Sequence, residues 1–490
     1  MLEPVLFGVY MFSHLIILLF SIGQLTLVYY ALRHRRCPTP TLDAVSQPLP
    51  FVTVQLPIYN ERYVVERLLN AVAALDYPKD RLEIQVLDDS TDETTRIIAK
   101  KVTELCALGF RVYHLRRAER SGFKAGALQY GLERATGEFI AIFDADFVPP
   151  PSFLKTVLPS FENDKIGMVQ TRWSHLNRDY SVLTELQAFG LDAHFGVEQE
   201  ARNAAGLFIN FNGTAGVWRK AAIVDAGGWH ADTLTEDLDL SYRAQLRGWK
   251  FKFLGNIESP SELPAEMSSY KSQQFRWAKG AIETAKKNLP DVWKSPLSLH
   301  LKIYATLHLC ANALFMLIFI SGLLTVPLMI VKNTMGGYDL YFQVMTVFLI
   351  SFISSFLFYL FSVSNTASTS NGSVEFGKRF SLFIAFMMGM SLHNSLAVLE
   401  GLIGRKSAFV RTPKFGLAQF GDTWVRKSYL TATLTPITFF EILFALYYVF
   451  GAAVAIYFAE LSLLPFQVLF LIGFALVAML SIYHARLAKS

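Results

Sequence analysis

Ala141-Ile142-Phe143-Asp144-Ala145-Asp146 is the stretch that decides how this chain folds. An apolar run from Phe139 to Phe143 delivers two aspartates at i and i+2, then stops at Val148-Pro149-Pro150-Pro151. A buried strand ending in Asp-x-Asp puts two carboxylates at its carboxyl end, where open α/β sheets bind ligands. Two hard oxygen donors so placed suit Mg²⁺ or Mn²⁺ carrying a diphosphate. Asp-x-Asp also occurs as simple loop punctuation, so its neighbours carry the weight.

Upstream, strands alternate with helices. Phe51-Val52-Thr53-Val54-Gln55-Leu56-Pro57 is an apolar strand running into Ile58-Tyr59-Asn60-Glu61, with a helix over 62–74. Leu82-Glu83-Ile84-Gln85-Val86-Leu87 is a second strand, ending in Asp88-Asp89-Ser90-Thr91-Asp92, with a helix over 93–108. A third strand over 111–115 leads to Gly122-Phe123-Lys124-Ala125-Gly126-Ala127 and a helix to Ala135. This alternation predicts a doubly wound α/β sheet, with Asp88-Asp89 and Asp144-x-Asp146 converging on one crevice.

Downstream the pattern is mixed. Residues 168–173 predict a strand, 183–203 a long charged helix, and 208–218 include a glycine-punctuated loop, Phe211-Asn212-Gly213-Thr214-Ala215-Gly216. Thr235 fits the N-cap of a helix whose first turn carries Glu236, Asp237 and Asp239. Residues 268–286 are amphipathic, with Gln273, Arg276 and Trp277 at the centre.

The ends of the chain differ from its middle. The mean hydropathy of +0.33 is too high for a soluble enzyme and too low for an all-membrane protein. Residues 5–32 are long and apolar enough to span a bilayer, and Arg33-His34-Arg35-Arg36 follows rather than precedes them. That order argues for a retained transmembrane helix with residue 33 onward in the cytosol, not a signal peptide. Residues 303–331, 340–363, 436–457 and 463–483 can also span. Residues 381–402 are apolar but hold His393, Asn394 and Glu400. The basic groups on both sides stay cytosolic if this segment lies in the interface, which makes five spans. A net charge of +5 over 490 residues gives no reason to expect nucleic acid. Cys37, Cys106 and Cys310 are far apart, without metal-ligand spacing, and suit reduced thiols.

Each motif has a plainer meaning when taken singly. Asp88-Asp89 suits a turn cap or contacts to a nucleotide. Lys124 suits a helix-start surface lysine or a point charge on a diphosphate. Glu236 and Asp237 suit helix-start acids, or a general base for a sugar hydroxyl. Gln273-Gln274-Phe275-Arg276-Trp277 suits interfacial anchoring, or a ring-stacking indole beside a guanidinium that offsets pyrophosphate charge.

Their order lifts them. Asp-Asp, Asp-x-Asp, Thr-Glu-Asp and Gln-x-x-Arg-Trp, followed by membrane spans, resemble the processive family 2 glycosyltransferases: the cellulose, hyaluronan and chitin synthases. Phe123-Lys124-Ala125-Gly126-Ala127, Ile142-Phe143-Asp144-Ala145-Asp146-Phe147, Phe211-Asn212-Gly213-Thr214-Ala215-Gly216-Val217-Trp218-Arg219 and Gln273-Gln274-Phe275-Arg276-Trp277 look closest to cellulose-synthase-like mannan and glucan backbone synthases. The resemblance covers roughly residues 50–415. It implies an α/β GT-A (Rossmann-like) cytosolic glycosyltransferase domain inserted between transmembrane α-helices. It also implies roles. Pro57, Tyr59, Glu61, Asp88 and Asp89 would hold the nucleotide, with Lys124, Asp144 and Asp146 at the diphosphate. Asp144 and Asp146 would bind Mg²⁺ or Mn²⁺, and Asp237 would be the base of an inverting transfer. Glu236, Gln273, Arg276 and Trp277 would form the acceptor and pyrophosphate side. Phe409-Val410-Arg411-Thr412-Pro413-Lys414 resembles the loop that gates the donor site, with Arg411 where that loop usually carries Val.

The domain organisation expected is a transmembrane helix (1–34), a linker (35–50), the GT-A domain (51–268) and interfacial helices with Gln-x-x-Arg-Trp (269–300). Two spans (301–363), an interfacial helix with the gating-like loop (364–435) and two further spans (436–490) complete it. The expected function is hexosyl transfer from UDP-glucose or GDP-mannose to a growing β-linked polysaccharide that is translocated. Transfer of one sugar to a membrane lipid, giving a glycolipid, is the alternative. The partners expected are a nucleotide-sugar donor, a glycan or glycolipid acceptor, the lipid bilayer and accessory export subunits, but no nucleic acid. The location expected is a bacterial inner membrane or a Golgi membrane. A transporter with a cytosolic binding domain is disfavoured, because the spans carry few charges while the carboxylates cluster outside them.

Overall fold

The computed structural model describes residues 2–33, 49–365, 373–407, 409–417, 422–425, 427–429 and 434–489. His34, Arg35, Arg36, Cys37, the linker to residue 48 and Arg426 lie outside the described residues. Seven strands form one sheet: β1 (Val52–Ile58), β2 (Leu82–Asp88), β3 (Arg111–Arg116), β4 (Phe139–Ile142), β5 (Ile166–His175), β6 (Gly216–Arg219) and β7 (Lys250–Ser261). Their order is β3-β2-β1-β4-β6-β5-β7.

The first half matches a doubly wound pattern. β1, β2, β3 and β4 are parallel, with helices between them. The second half corrects it. β6 runs antiparallel to both β4 and β5, so the sheet is mixed. β6 begins at the last residue of the glycine-punctuated loop, where no strand was expected, and β7 was not foreseen. β7 pairs with β5 through register shifts, one of which takes the pairing from Leu254 to Glu258. The bulge absorbs Gly255 and Asn256, residues that in sequence signal a turn.

β4 shows why the opening stretch is central. Phe139, Ala141 and Phe143 pack into the core on one face, and Ile140 and Ile142 into the core on the other. Period-two alternation with both faces apolar is what a covered central strand requires. The neighbouring strands also carry buried polar side chains. Gln55 Nε2 donates to Gln85 Oε1 at 3.0 Å, and Gln85 Nε2 to Glu83 Oε1 at 2.7 Å. Gly131 lets the helix Phe123–Leu132 sit on this ladder, since a Cβ there would lie 2.5 Å from Gln55 Nε2.

Two helices depart from expectation. The stretch 183–203 is interrupted: the helix Val182–Ala193 passes through a π turn at His194–Gln199 into Glu200–Ala204. Thr235 sits at the N-cap position of Glu236–Leu246, but its hydroxyl does not cap. It pairs with the Thr284 hydroxyl at 3.1 Å instead, which ties the helix start to a neighbouring helix.

Six helices among the described residues are long and apolar enough to cross a membrane: Glu3–Arg33, Leu299–Met335, Asp339–Val363, Val374–Ile403, Pro436–Tyr457 and Leu464–Leu487. That is one more than the five expected, because Ser373–Ile403 is a single uninterrupted helix. Its two ends both pack on elements of the sheet domain or its adjoining helix. The Phe376 ring lies 6.3 Å from the Phe189 ring near one end, and Glu400 lies 3.1 Å from Lys279 at the other. Helices in this half approach closely at glycines. A Cβ on Gly473 would lie 1.9 Å from Ala385 O, and one on Gly389 2.2 Å from Gly473 O. Gly473→Ala forces these two helices apart, at a cost of about 1–3 kcal/mol. A lowered thermal midpoint in detergent, against an unchanged midpoint for Gly8→Ala, where a Cβ meets nothing within 4 Å, is the expected outcome.

Candidate active site

The carboxyl edge of β1 and β4 opens into a cavity. Pro57, Tyr59, Glu61, Asp89, Lys124, Asp144, Asp146, Glu236, Asp237, Gln273, Arg276 and Trp277 all line it. Of the residues singled out in sequence, only Asp88 is not among the lining. Its buried carboxylate meets His114 Nε2 at 2.8 Å and accepts from Ser90 N at 2.8 Å, so it ties the end of β2 rather than facing the cavity.

Asp144 and Asp146 are each balanced by a lysine. Lys124 Nζ lies 2.5 Å from Asp144 Oδ1 and also donates to Gly213 O at 2.9 Å. Lys414 Nζ lies 2.7 Å from Asp146 Oδ2, which also accepts from Glu262 N at 3.2 Å. Among the described residues, no hydrogen bond reaches Asp144 Oδ2 or Asp146 Oδ1. An open hard oxygen on each of two carboxylates facing one cavity fits a divalent cation. Burial pulls the Lys124 ammonium down, but Asp144 and Glu236 outweigh it and hold its pKa above the usual lysine value. Gly122 takes a left-handed φ of 70° and starts this helix. Gly126 serves the same turn rather than an approach to a ligand: a Cβ there would lie 2.1 Å from Ser121 O.

Asp237 arrives from the opposite side. Its carboxylate faces Gly213, where a Cβ would lie 2.9 Å from Asp237 Oδ2 and 3.4 Å from Lys124 Nζ. Burial raises the Asp237 pKa to about 7, Glu236 beside it adds to the rise, and Lys124 and Arg276 oppose it. Gly280, unnoticed in sequence, makes this arrangement possible. A Cβ there would lie 2.6 Å from Thr235 Cγ2, so only glycine lets Thr235-Glu236-Asp237 press against the helix Met267–Lys294. Gln273, Arg276 and Trp277 occupy i, i+3 and i+4 of that helix and therefore share the face turned to the cavity.

The loop 409–417 supplies the fourth wall, although it follows four helices that are long and apolar enough to cross a membrane. The Phe409 ring lies 5.7 Å from Phe123 and 4.7 Å from the Arg276 guanidinium. Arg411 Nη1 lies 2.8 Å from Glu61 Oε1. Burial pushes the Glu61 carboxyl up to about 8, with Arg411 pulling the other way. Glu262, just past β7, anchors the loop: its carboxylate accepts from Phe415 N at 2.7 Å and Leu417 N at 3.0 Å. Sequence reasoning missed Glu262, and also Arg120, whose guanidinium stacks 3.4 Å from the Tyr59 ring. Gly213→Ala would strain a backbone held at φ 81° and push against Asp237. The expected outcome is at least a tenfold loss of activity with roughly 1 kcal/mol or more of lost stability.

Comparison with known proteins gives one consistent direction. The family described as Glycosyltransferase like family 2 matches residues 49–280. Glucomannan 4-beta-mannosyltransferase 1 of Cyamopsis tetragonoloba is 36% identical over 416 residues, covering 81% of this chain and 76% of that protein. Glucomannan 4-beta-mannosyltransferase 2 of Arabidopsis thaliana is 36% identical over 389 residues, covering 76% and 69% respectively. Among solved structures, a mannosyltransferase from Pyrobaculum calidifontis in complex with GDP-Man and Mn²⁺ shares the fold. Its TM-score is 0.53 at 19% identity, over 82% of this chain and 100% of that one.

Proposed function

Because the chain belongs to the family 2 glycosyltransferases, beside the cellulose-synthase-like glucomannan mannosyltransferases, we propose that it extends a β-linked polysaccharide at a membrane by inverting transfer from a nucleotide sugar. It is a hexosyltransferase with a GT-A-like domain flanked by apolar helices. One observation carries the reading: Asp144 and Asp146, Asp237, and the Gln273-Arg276-Trp277 face meet in one cavity although they are distant in sequence. Of UDP-glucose and GDP-mannose, the relatives' names favour the mannosyl donor.

The roles follow from position. Tyr59, Glu61 and Asp89 take the nucleoside end, with Pro57 shaping the floor. Asp144 and Asp146 would hold Mg²⁺ or Mn²⁺, which when bound would neutralise diphosphate charge. Lys124 and Arg276 face the same place and offset charge as the diphosphate leaves. Asp237 accepts the proton of the acceptor hydroxyl, which attacks the anomeric carbon in line. Trp277 and Gln273 orient the acceptor sugar, and Glu236 keeps the Asp237 carboxyl basic enough for the task.

The packing of Phe376 and Glu400, near the two ends of Ser373–Ile403, against the sheet domain and its adjoining helix supports an interfacial course for that helix. With it, loop 409–417 returns to the cytosolic side, and the other five apolar helices cross. A second hollow, lined by Ser272, Phe275, His393, Thr438 and Ser481, shares Arg276 and Phe409 with the cavity. It suits an outgoing glycan, and its apolar walls equally suit a lipid-linked acceptor, the competing reading. A donor screen on purified protein in detergent, reading released UDP or GDP together with product size, separates them. A long product sustains polysaccharide synthesis, and a single-sugar lipid product replaces it.

Asp237→Asn is expected to lower transfer by about 10²–10⁴-fold while nucleotide binding persists. Normal turnover by that variant would remove Asp237 as the base. A base with a pKa of about 7 is protonated below that pH, so kcat/KM should fall about tenfold per unit on the acid side and level off above it. A flat profile from about pH 5 to 8 contradicts the assignment. Chelation with EDTA should abolish activity, with Mg²⁺ or Mn²⁺ restoring it, and full activity in chelator would remove the metal role.

A further inference from the structure

We propose that Arg411 is a donor-responsive positioning residue: paired with Glu61 it latches loop 409–417 over the empty cavity, and it passes to the nucleoside diphosphate when donor enters. This rests on the cavity being the nucleotide-sugar site. The loop is pinned at two points that do not involve Arg411. Phe409 stacks on Phe123 and lies against the Arg276 guanidinium at one end. Glu262 binds Phe415 N and Leu417 N at the other, where Gly416 comes so close that a Cβ would lie 2.9 Å from Tyr63 O.

Between the two pins, Arg411 crosses the donor half of the cavity. Its guanidinium lies 4.3 Å from the Tyr429 ring and reaches Glu61 Oε1 at 2.8 Å. The side chain is largely buried, 13% exposed, and so is that of Glu61 at 11%. The pairing is nevertheless unsatisfied. Arg411 Nη1 and Nη2 and Glu61 Oε2 are buried without a well-aligned hydrogen bond. A guanidinium has a rigid fork that matches a diphosphate with two parallel bonds, which Glu61 here does not supply. Burial keeps the charge close to the cavity, and the poor fit to Glu61 leaves it ready to exchange partners. Lys414, three residues on, already sits on Asp146, so both cations of the loop occupy carboxylates at the donor end. An incoming diphosphate offers both a second anion, and docking of the loop then depends on donor.

Arg411→Val removes the fork and restores the residue usual in the loop this one resembles. Amide hydrogen exchange across 409–417, measured on the empty protein, should speed up by about tenfold or more. The donor KM should rise about tenfold, with kcat changed by less than about threefold, since the lost contact is made in ground state and transition state alike. In the exchanged pair Glu61→Arg with Arg411→Glu, loop protection in the empty protein should return while the donor KM stays high. A donor KM for Arg411→Val within about twofold of the parent overturns the proposal, with or without a lowered thermal midpoint. So does unchanged amide exchange. Absence of donor turnover by the parent enzyme would sink the reading of the cavity instead, and the exchange experiment does not depend on it.

Discussion

Charge balance in a desolvated cleft is the constraint on which the rest depends. Glu61, Asp144, Asp146, Glu236, Asp237 and Glu262 share one cavity. Two like charges about 4 Å apart repel by roughly 4 kcal/mol in the medium typical of a protein edge. A buried carboxylate without a partner costs several kcal/mol more. The fold therefore has to deliver cations to the same place, and it draws them from three separate regions. Lys124 comes from a helix start after β3, Arg276 from the helix Met267–Lys294, and Arg411 and Lys414 from a loop far beyond. The sheet alone makes a cleft that is strongly acidic. The site is electrically complete only when the membrane half has docked.

That dependence explains the division between what was legible in sequence and what was not. β4 was legible because period-two burial on both faces leaves a dense apolar run, and the carboxylates that follow it have no packing role to play. Gln273, Arg276 and Trp277 were legible for a similar reason, since helical spacing alone puts them on one face. β7 was hidden. Its bulge stores Gly255 and Asn256 in mid-strand, and local chemistry there says turn while the partner β5 says strand. β6 was hidden because it is four residues long and follows a glycine loop.

Pairings across the chain were illegible for a different reason. Nothing near Glu61 announces Arg411, and nothing near Asp146 announces Lys414, because each match is made by docking rather than by spacing. Gly280 is the clearest case. A glycine inside a helix usually weakens it. Here it allows Thr235 to approach within a distance that any side chain would forbid, and that approach carries Asp237 to the cavity. Asp88 shows the converse. Its turn-rich neighbourhood suggested either a cap or a ligand contact, and the structure gives it a buried structural tie to His114 and Ser90.

The helix Met267–Lys294 then becomes the mechanical link between the two halves. One face carries Gln273, Arg276 and Trp277 to the cavity. The other packs Ala278 and Ile282 against Ala397 and Val398, and Lys279 is fully buried against Glu400 and Ser407. Near its start, Lys271 pairs with Glu441 at 2.7 Å, a charge pair buried between this helix and the apolar helix Pro436–Tyr457. A buried pair of this kind resists sliding, because moving one partner away leaves the other charge desolvated and alone. The Gln273-Arg276-Trp277 wall of the cavity therefore cannot shift along the sheet without dragging apolar helices with it. Among the described elements lining the cavity, loop 409–417 is fixed differently: Glu262 holds one end through backbone N–H groups, and the ion pairs of Arg411 with Glu61 and Lys414 with Asp146 can exchange partners.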